Sequence, residues 1–338
     1  MVKPTKRDDL FKNLEKIWVY KWLIFLFVFS LIPVVATSKY QVHLANEILI
    51  MSLFAVSFNL LFGYTGMLSF GQAAFYGIGA YSIGILMTKT SCPYWIAMLT
   101  GIPLSAAFAS ILGPLCIRLK GVFFTMLTLA FGQLLWGVAF KWYRFTGGDN
   151  GIQGISLPSF FMSAYNYYYF SLIVVFTSLY ICSRIVGSPF GCIIKCIRQN
   201  SERTEFIGIR IKRYQLIIYI ISASFTGIAG SLFAGYEHSI HPNLMHWTKS
   251  GEIILMTIAG GFSSFFGPVI GAALILIIED MIGARTQFWE ICIGTVMLLI
   301  VLLFPDGIAG SAYTNLISIG RKFGVGSLNG KHLRNQRP

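Results

Sequence analysis

A polytopic bundle of membrane-spanning α-helices, all-α in class, is what this sequence predicts, and three observations carry the reading. Of 338 residues, 55% are hydrophobic and 12% charged, where a soluble domain carries about 25% charged residues. The charges are also segregated: 22–38, 48–88, 90–117, 121–140, 150–183, 214–236, 253–278 and 291–305 contain no Asp, Glu, Lys or Arg. These runs are continuously apolar, whereas a membrane β-barrel alternates apolar and polar residues in segments of about ten. The barrel is excluded.

Taken in order, the head at 1–21 carries Lys3, Lys6, Arg7, Lys12, Lys16 and Lys21. No small-residue cleavage site follows the first apolar run, so that run is expected to stay as span one, with the basic head in the cytoplasm. A helix crossing the hydrocarbon core takes about 20 residues, and the 41 residues of 48–88 hold two. Spans are expected near 19–37, 48–62, 72–88, 96–116, 122–140, 169–186 and 214–236. This alternation places Arg118, Lys120, the loop 187–213 and the tail after Asp306 inside. Nineteen Lys and Arg then lie inside and six outside, with Arg184 at a span end. The net charge of +13 records orientation rather than nucleic-acid binding.

The run 253–278 is too short for two full spans, yet a single span would put the basic tail outside. A short hairpin, re-entrant or of tilted helices, keeps the parity. The expected architecture is about ten membrane elements, including short Gly-broken helices, with both termini cytoplasmic. It divides into a head (1–21), a transmembrane domain (22–310) and a basic tail (311–338). Two Gly-rich segments interrupt the pattern, at 63–72 and 260–268, and two accounts fit them: corresponding parts of an internal repeat, or small residues for close helix packing.

No arrangement of nucleophile and base is present, and an enzyme is not expected. Cys92, Cys116, Cys182, Cys192, Cys196 and Cys292 are scattered without metal-type clustering, which speaks against a zinc site or a disulfide framework. His238, His241 and His246 share one outside loop and read as a solvated loop near the headgroups. Gly330-Lys331 lacks the Gly five residues earlier that a phosphate-binding loop requires, Val325 standing there, and His332 follows. No cofactor is expected, and any ATP-driven role requires a separate subunit. Glu252, Glu279, Asp280 and Glu290 fall near span ends, while the polar residues within spans, such as Asn59, Gln72 and Gln133, are neutral. A proton relay is disfavoured on that ground; sodium coupling through backbone carbonyls stays open.

Within 187–213, Ser188-Pro189 forms a helix start, Ser as N-cap and Pro at the first helical position. Phe190, Ile193, Ile194 and Ile197 mark one face, with Lys195, Arg198 and Gln199 largely on the other. Such a helix fits either a groove on a soluble partner or the lipid headgroups.

Several segments taken together resemble the permease subunits of ATP-binding-cassette importers for branched-chain amino acids, LivM-type in particular. They are Leu60-Leu61-Phe62-Gly63-Tyr64-Thr65-Gly66 with Ser69-Phe70-Gly71-Gln72-Ala73-Ala74-Phe75; Arg118-Leu119-Lys120-Gly121; Thr146-Gly147-Gly148-Asp149-Asn150-Gly151; Ser250-Gly251-Glu252; Gly260-Gly261; Gly267-Pro268-Val269-Ile270-Gly271-Ala272; and Phe304-Pro305-Asp306-Gly307. The match runs from about Asn46 to Gly310. It implies one membrane subunit of a bacterial inner-membrane importer, working with a second permease, separate ATPases and an external substrate-binding protein. The importer coupling segment has Glu-Ala-Ala followed four residues later by Gly. Glu202 and Gly208 keep that spacing, while Arg203 and Thr204 replace the alanines.

With the resemblance, docking becomes the reading of the loop, and its candidate residues are Ile193, Ile194, Ile197, Arg198, Gln199, Asn200, Glu202, Glu205 and Gly208. The candidate translocation path is Asn59, Ser69, Gly71, Gln72, Gly260, Gly261, Ser264 and Gly267; neutral groups offer a zwitterion hydrogen bonds without trapping either end, and helix packing is the other account. Thr146, Gly147, Gly148, Asp149 and Asn150 are candidates for contact with the binding protein, a plain surface turn being the alternative. Tyr165, Tyr167, Tyr168 and Tyr169 are read as an interfacial aromatic anchor. A urea or short-amide importer would share the same architecture, and an autonomous secondary transporter is the rival from another class.

Overall fold

The computed structural model describes residues 22, 25–33, 35, 38–90, 92–155, 157–283, 289–303 and 307–308. The basic head, the tail after 310 and most of the motif at 304–307 lie outside the described residues. Twelve helices follow one another: α1 (Lys39–Thr65), α2 (Gln72–Lys89), α3 (Tyr94–Cys116), α4 (Val122–Lys141), α5 (Tyr143–Thr146), α6 (Ala164–Gly187), α7 (Pro189–Gln199), α8 (Ser201–Phe206), α9 (Ile211–Glu237), α10 (Trp247–Gly260), α11 (Gly267–Gly283) and α12 (Trp289–Leu303). Residues 25–33 are also helical. The helical expectation holds, with one small departure: β1 (Ile152–Gln153) and β2 (Ser239–Ile240) pair antiparallel, Ile152 opposite Ile240.

Among the described residues five helices, α1, α3, α4, α6 and α9, are long and apolar enough to cross a membrane by length and composition. The segment 25–33, α2, α10, α11 and α12 join them, about ten longer helical elements among the described residues. The hairpin expected at 253–278 is the pair α10 and α11. At 14 residues, α10 spans about 21 Å, short of a hydrocarbon core of about 30 Å.

α1 is the axis. Its sequence is apolar on every side, and a helix of that kind belongs inside: 94% of its most apolar window is buried, against 22% for α4 at the periphery. α6, α7, α9, α10 and α11 all pack on it. Ser38 caps its start, accepting from the Tyr40 amide at 3.3 Å. At its end Gly66 takes the left-handed conformation, φ 74°, and returns its amide to the Phe62 carbonyl.

α9 packs against α1, α2 and α3. A Cβ added at Gly79 would lie 2.0 Å from the Gly227 carbonyl oxygen, and one at Gly230 would lie 1.8 Å from that of Tyr76. Backbones this close leave no room for a side chain, and dispersion between them replaces the hydrophobic drive that lipid removes. Polar side chains tie the same helices together. Gln72 Nε2 donates to Ser222 Oγ at 3.2 Å, Thr226 Oγ1 to Gln72 Oε1 at 3.1 Å, and Ser222 Oγ to the Ser57 carbonyl at 2.6 Å. The Ala73 amide donates to Ser250 Oγ on α10 at 2.9 Å.

The aromatic anchor is corrected in part. Tyr165 and Tyr169 are exposed, but Tyr167 and Tyr168 are buried. Tyr167 Oη donates to the Leu232 carbonyl at 2.6 Å and pairs with Tyr94 Oη at 3.0 Å, while Tyr168 Oη donates to the Phe29 carbonyl at 2.7 Å. A Tyr run on a helix turns through 100° per residue, so two of the four necessarily face the bundle. Of the three histidines, His238 bonds the Ile155 carbonyl and caps α9 at φ 56°, while His246 lies against Trp136 with ring centroids 5.2 Å apart.

Candidate coupling and translocation site

The amphipathic segment forms the helix its sequence implies. Ser188 Oγ accepts from the Gly191 amide at 3.3 Å, and Pro189 opens α7. Ile194 and Ile197 are buried, Phe190 and Ile193 half-buried, and Lys195, Arg198 and Gln199 exposed along most of their length. Asn200 then caps α8, its Oδ1 accepting from the Arg203 amide at 2.9 Å. Glu202 and Glu205 point outward on α8, and Gly208 turns the chain with φ 87°.

The cations of α7 do more than face solvent. Lys195 Nζ donates to the Val186 carbonyl at 3.2 Å, near the end of α6, and lies 5.6 Å from the Tyr64 ring centroid. Arg198 Nη1 donates to the Gly63 carbonyl in the last turn of α1, and its guanidinium lies 5.3 Å from the Phe262 ring centroid. The carboxyl end of a helix leaves carbonyls without intrahelical partners and carries partial negative charge. Two side chains of α7 therefore cap two helices of the bundle, and one also reaches the segment between α10 and α11. Sequence periodicity assigned Arg198 to the outer side. It missed the long side chain folding back, a behaviour that a flexible stem makes available.

The second Gly-rich segment meets the end of α1 at the same place. The Phe62 and Phe262 ring centroids are 5.3 Å apart. A Cβ on Gly63 would fall 2.5 Å from the Phe262 carbonyl oxygen and 2.0 Å from Asn59 Oδ1. Asn59 is fully buried, and neither its Oδ1 nor its Nδ2 has a hydrogen-bond partner among the described residues. Gly260 and Gly267 pack backbone to backbone, with a Cβ at Gly260 only 1.9 Å from the Gly267 carbonyl oxygen. Gly261 accepts from Ser264 Oγ at 3.4 Å.

The eight candidate path residues thus fall into two groups. Asn59, Gly260, Gly261, Ser264 and Gly267 gather beside the α7 end of α1. Ser69, Gly71 and Gln72 make other contacts: Ser69 Oγ accepts from the Gly71 amide at 3.3 Å, a Cβ at Gly71 would meet the Thr128 carbonyl oxygen at 2.7 Å, and Gln72 belongs to the Ser222 and Thr226 network. Thr128, Ser222 and Thr226 went unremarked in the sequence, since a lone hydroxyl in an apolar run carries no signal of its partner.

At the opposite end, 146–150 is a tight turn. Thr146 Oγ1 donates to the Ala139 carbonyl at 2.6 Å, and Gly147 and Gly148 take positive φ of 82° and 59°. Lys89 Nζ clamps the approach by donating to the Arg144 and Phe145 carbonyls at 2.7 and 2.8 Å. Asp149 and Asn150 are left exposed at the tip.

The described residues form an α-helical bundle with a clamped amphipathic loop at one end, and among them no three metal-ligating side chains come together. Comparison with known proteins finds transport permeases. The high-affinity branched-chain amino acid transport system permease protein LivM of Escherichia coli is 24% identical over 314 residues, covering 85% of this chain and 74% of that protein. A probable branched-chain amino acid transport permease protein LivM of Methanocaldococcus jannaschii is 22% identical, covering 75% of this chain and 88% of that protein. The LivH permease protein of Escherichia coli is 21% identical, covering 77% and 91%. No solved structure matches the chain. Residues 41–302 match the family described as branched-chain amino acid transport system, permease component, and this multi-pass membrane protein belongs to that family.

Proposed function

We propose that this chain is one of two membrane subunits of an importer that carries branched-chain amino acids into the cytoplasm, driven by separate ATPase subunits that grip the α7–α8 loop. The observation that carries the proposal is the double clamp: Lys195 holds the end of α6 and Arg198 the end of α1 and Phe262. A push on α7 is thereby delivered to the axial helix and to the Gly-rich segment beside it.

The loop presents its own contact surface. Phe206 and Ile207 are 89% and 73% exposed beside Glu202 and Glu205, an apolar pair flanked by charge that the ATPase subunit would cover. In this reading α7, α8, the head and the tail are cytoplasmic and the membrane is the bacterial inner membrane. Asn59 and the glycine segment 260–267 form the inner part of the path, the unpaired Asn59 amide serving the passing ammonium or carboxylate. Asp149 and Asn150 meet the external binding protein.

The test is uptake of labelled leucine in a strain lacking the gene and complemented with it, with leucine, isoleucine and urea as competitors. Leucine uptake restored, inhibited by isoleucine and indifferent to urea, is the expected outcome. Unrestored leucine uptake with restored urea uptake rejects the assigned cargo. Ion-driven transport by the purified chain alone in liposomes rejects the dependence on ATPases.

A further inference from the structure

A cavity of about 950 Å³ opens at the α7 end, between the α1–α2 connection, the α3–α4 turn and the start of α9. Lys120, Arg198, Arg210, Lys212 and Arg213 line it, with Glu205 as its sole carboxylate. Arg198 is committed to the Gly63 carbonyl. Among the described residues, Lys120, Arg210, Lys212 and Arg213 have no ion-pair partner, the pair Lys249–Glu252 lying on α10.

Two long helices also begin on this cavity. α4 starts after Gly121 and α9 after Arg210, each without a side-chain cap and without an acidic residue in its first turn. Their free amides and partial positive charge add to the four cations, the arrangement in which an anion replaces a missing cap. The walls beneath are apolar: Met67, Leu68, Ile117, Leu119, Val122 and Phe124. They run on to the outward surface, where Leu119, Val122 and Phe123 are 42%, 65% and 70% exposed. A charged rim over an apolar wall that continues down a membrane helix matches an amphiphile with a phosphate head and acyl tails, and basic pockets between helices on the cytoplasmic side suit such heads.

We infer that this cleft binds the phosphate headgroup of one anionic phospholipid, between the N-termini of α4 and α9, with its acyl chains along α3 and α4. The lipid lies against the coupling segment without replacing any contact of Arg198, and the assignment does not depend on which cargo the chain carries.

The experiment is native mass spectrometry of the delipidated full-length chain, titrated with phosphatidylglycerol or phosphatidylcholine of identical acyl chains. Phosphatidylglycerol is expected to bind at least about tenfold more tightly, since the four cations without ion-pair partners favour an anionic head. The variant Lys120→Gln/Arg210→Gln/Lys212→Gln is expected to lose that preference, and Arg144→Gln at the far end to keep it. Equal binding of the two lipids by the unmodified chain overturns the assignment even where the triple variant fails to fold. An unchanged preference in a folded triple variant does so as well. Displacement of the lipid by excess inorganic phosphate gives the cleft to a soluble anion, and exclusion of the lipid on coexpression with ATPase subunits gives it to a protein partner; either result overturns the lipid site.

Discussion

Replacing Arg198 by Met keeps an unbranched apolar stem and removes the guanidinium with both of its contacts. The first lost contact is the charged hydrogen bond to the Gly63 carbonyl, worth about 1.5–3 kcal/mol for a group of this type. The second is the guanidinium over the Phe262 ring, 5.3 Å from its centroid, worth about 0.5–2 kcal/mol. The two share one side chain and do not add fully. Because Arg198 is exposed along much of its length, a total near 2 kcal/mol is the appropriate figure, which is about a 30-fold shift in the fraction of α7 that stays clamped to α1. The folded bundle survives, since Ile194 and Ile197 still bury against it.

The assay is simultaneous measurement of ATP hydrolysis and leucine uptake by the complete importer in proteoliposomes. Hydrolysis is expected to continue in Arg198→Met, while leucine moved per ATP falls at least about tenfold. Arg198→Lys is expected to recover part of the loss, because an ammonium caps a carbonyl but lacks the planar face that stacks on an aromatic ring. A Met variant that moves as much leucine per ATP as the unmodified importer refutes the mechanical role of the clamp.

Phe206→Ser with Ile207→Ser removes exposed surface and is expected to leave the thermal unfolding temperature unchanged while abolishing copurification of the ATPase subunits; retained copurification contradicts the loop assignment. Glu202→Lys with Glu205→Lys, or Ile197→Pro in α7, is expected to uncouple hydrolysis from uptake with membrane insertion intact, read by the same two-signal assay. Gly79→Val places a branched side chain where even a Cβ lies 2.0 Å from the Gly227 carbonyl oxygen; overpacking of this kind costs about 1–3 kcal/mol or more, and a lowered unfolding temperature with poor yield is expected. Gln72→Leu strips partners from Ser222 and Thr226 and is expected to cost about 0.6–2 kcal/mol within the membrane, seen as a modest drop in unfolding temperature.

The helices were readable because lipid imposes a length and excludes charge, and both constraints are written in the order of residues. α1 through α4 begin and end within a few residues of places where a Lys, Gly or Pro interrupts an apolar run. Ser188-Pro189 announced α7 for a local reason: a cap and its first turn involve neighbours only. Gly208 likewise makes its turn by itself. Contacts between distant segments were not readable. Nothing about Arg198 in sequence points to Gly63, 135 residues away, and nothing about Gln72 points to Ser222, 150 residues away. Of the first Gly-rich segment, 63–72, Gly63 meets the second at Phe262 while Gly71 packs on Thr128 of α4. Composition marks where backbones come close, and the fold decides against what.

The central claim is that the loop holding α7 and α8 is a cytosolic handle. Cys192 and Cys196 on α7 are exposed, while Cys92 and Cys292 are partly exposed and Cys116 and Cys182 buried, so a Cys92→Ser/Cys292→Ser variant leaves Cys192 and Cys196 as the accessible thiols among the described residues. An impermeant maleimide is expected to label them only after the cells are permeabilised. Labelling of Cys192 or Cys196 in intact cells would place the loop outside and contradict the account.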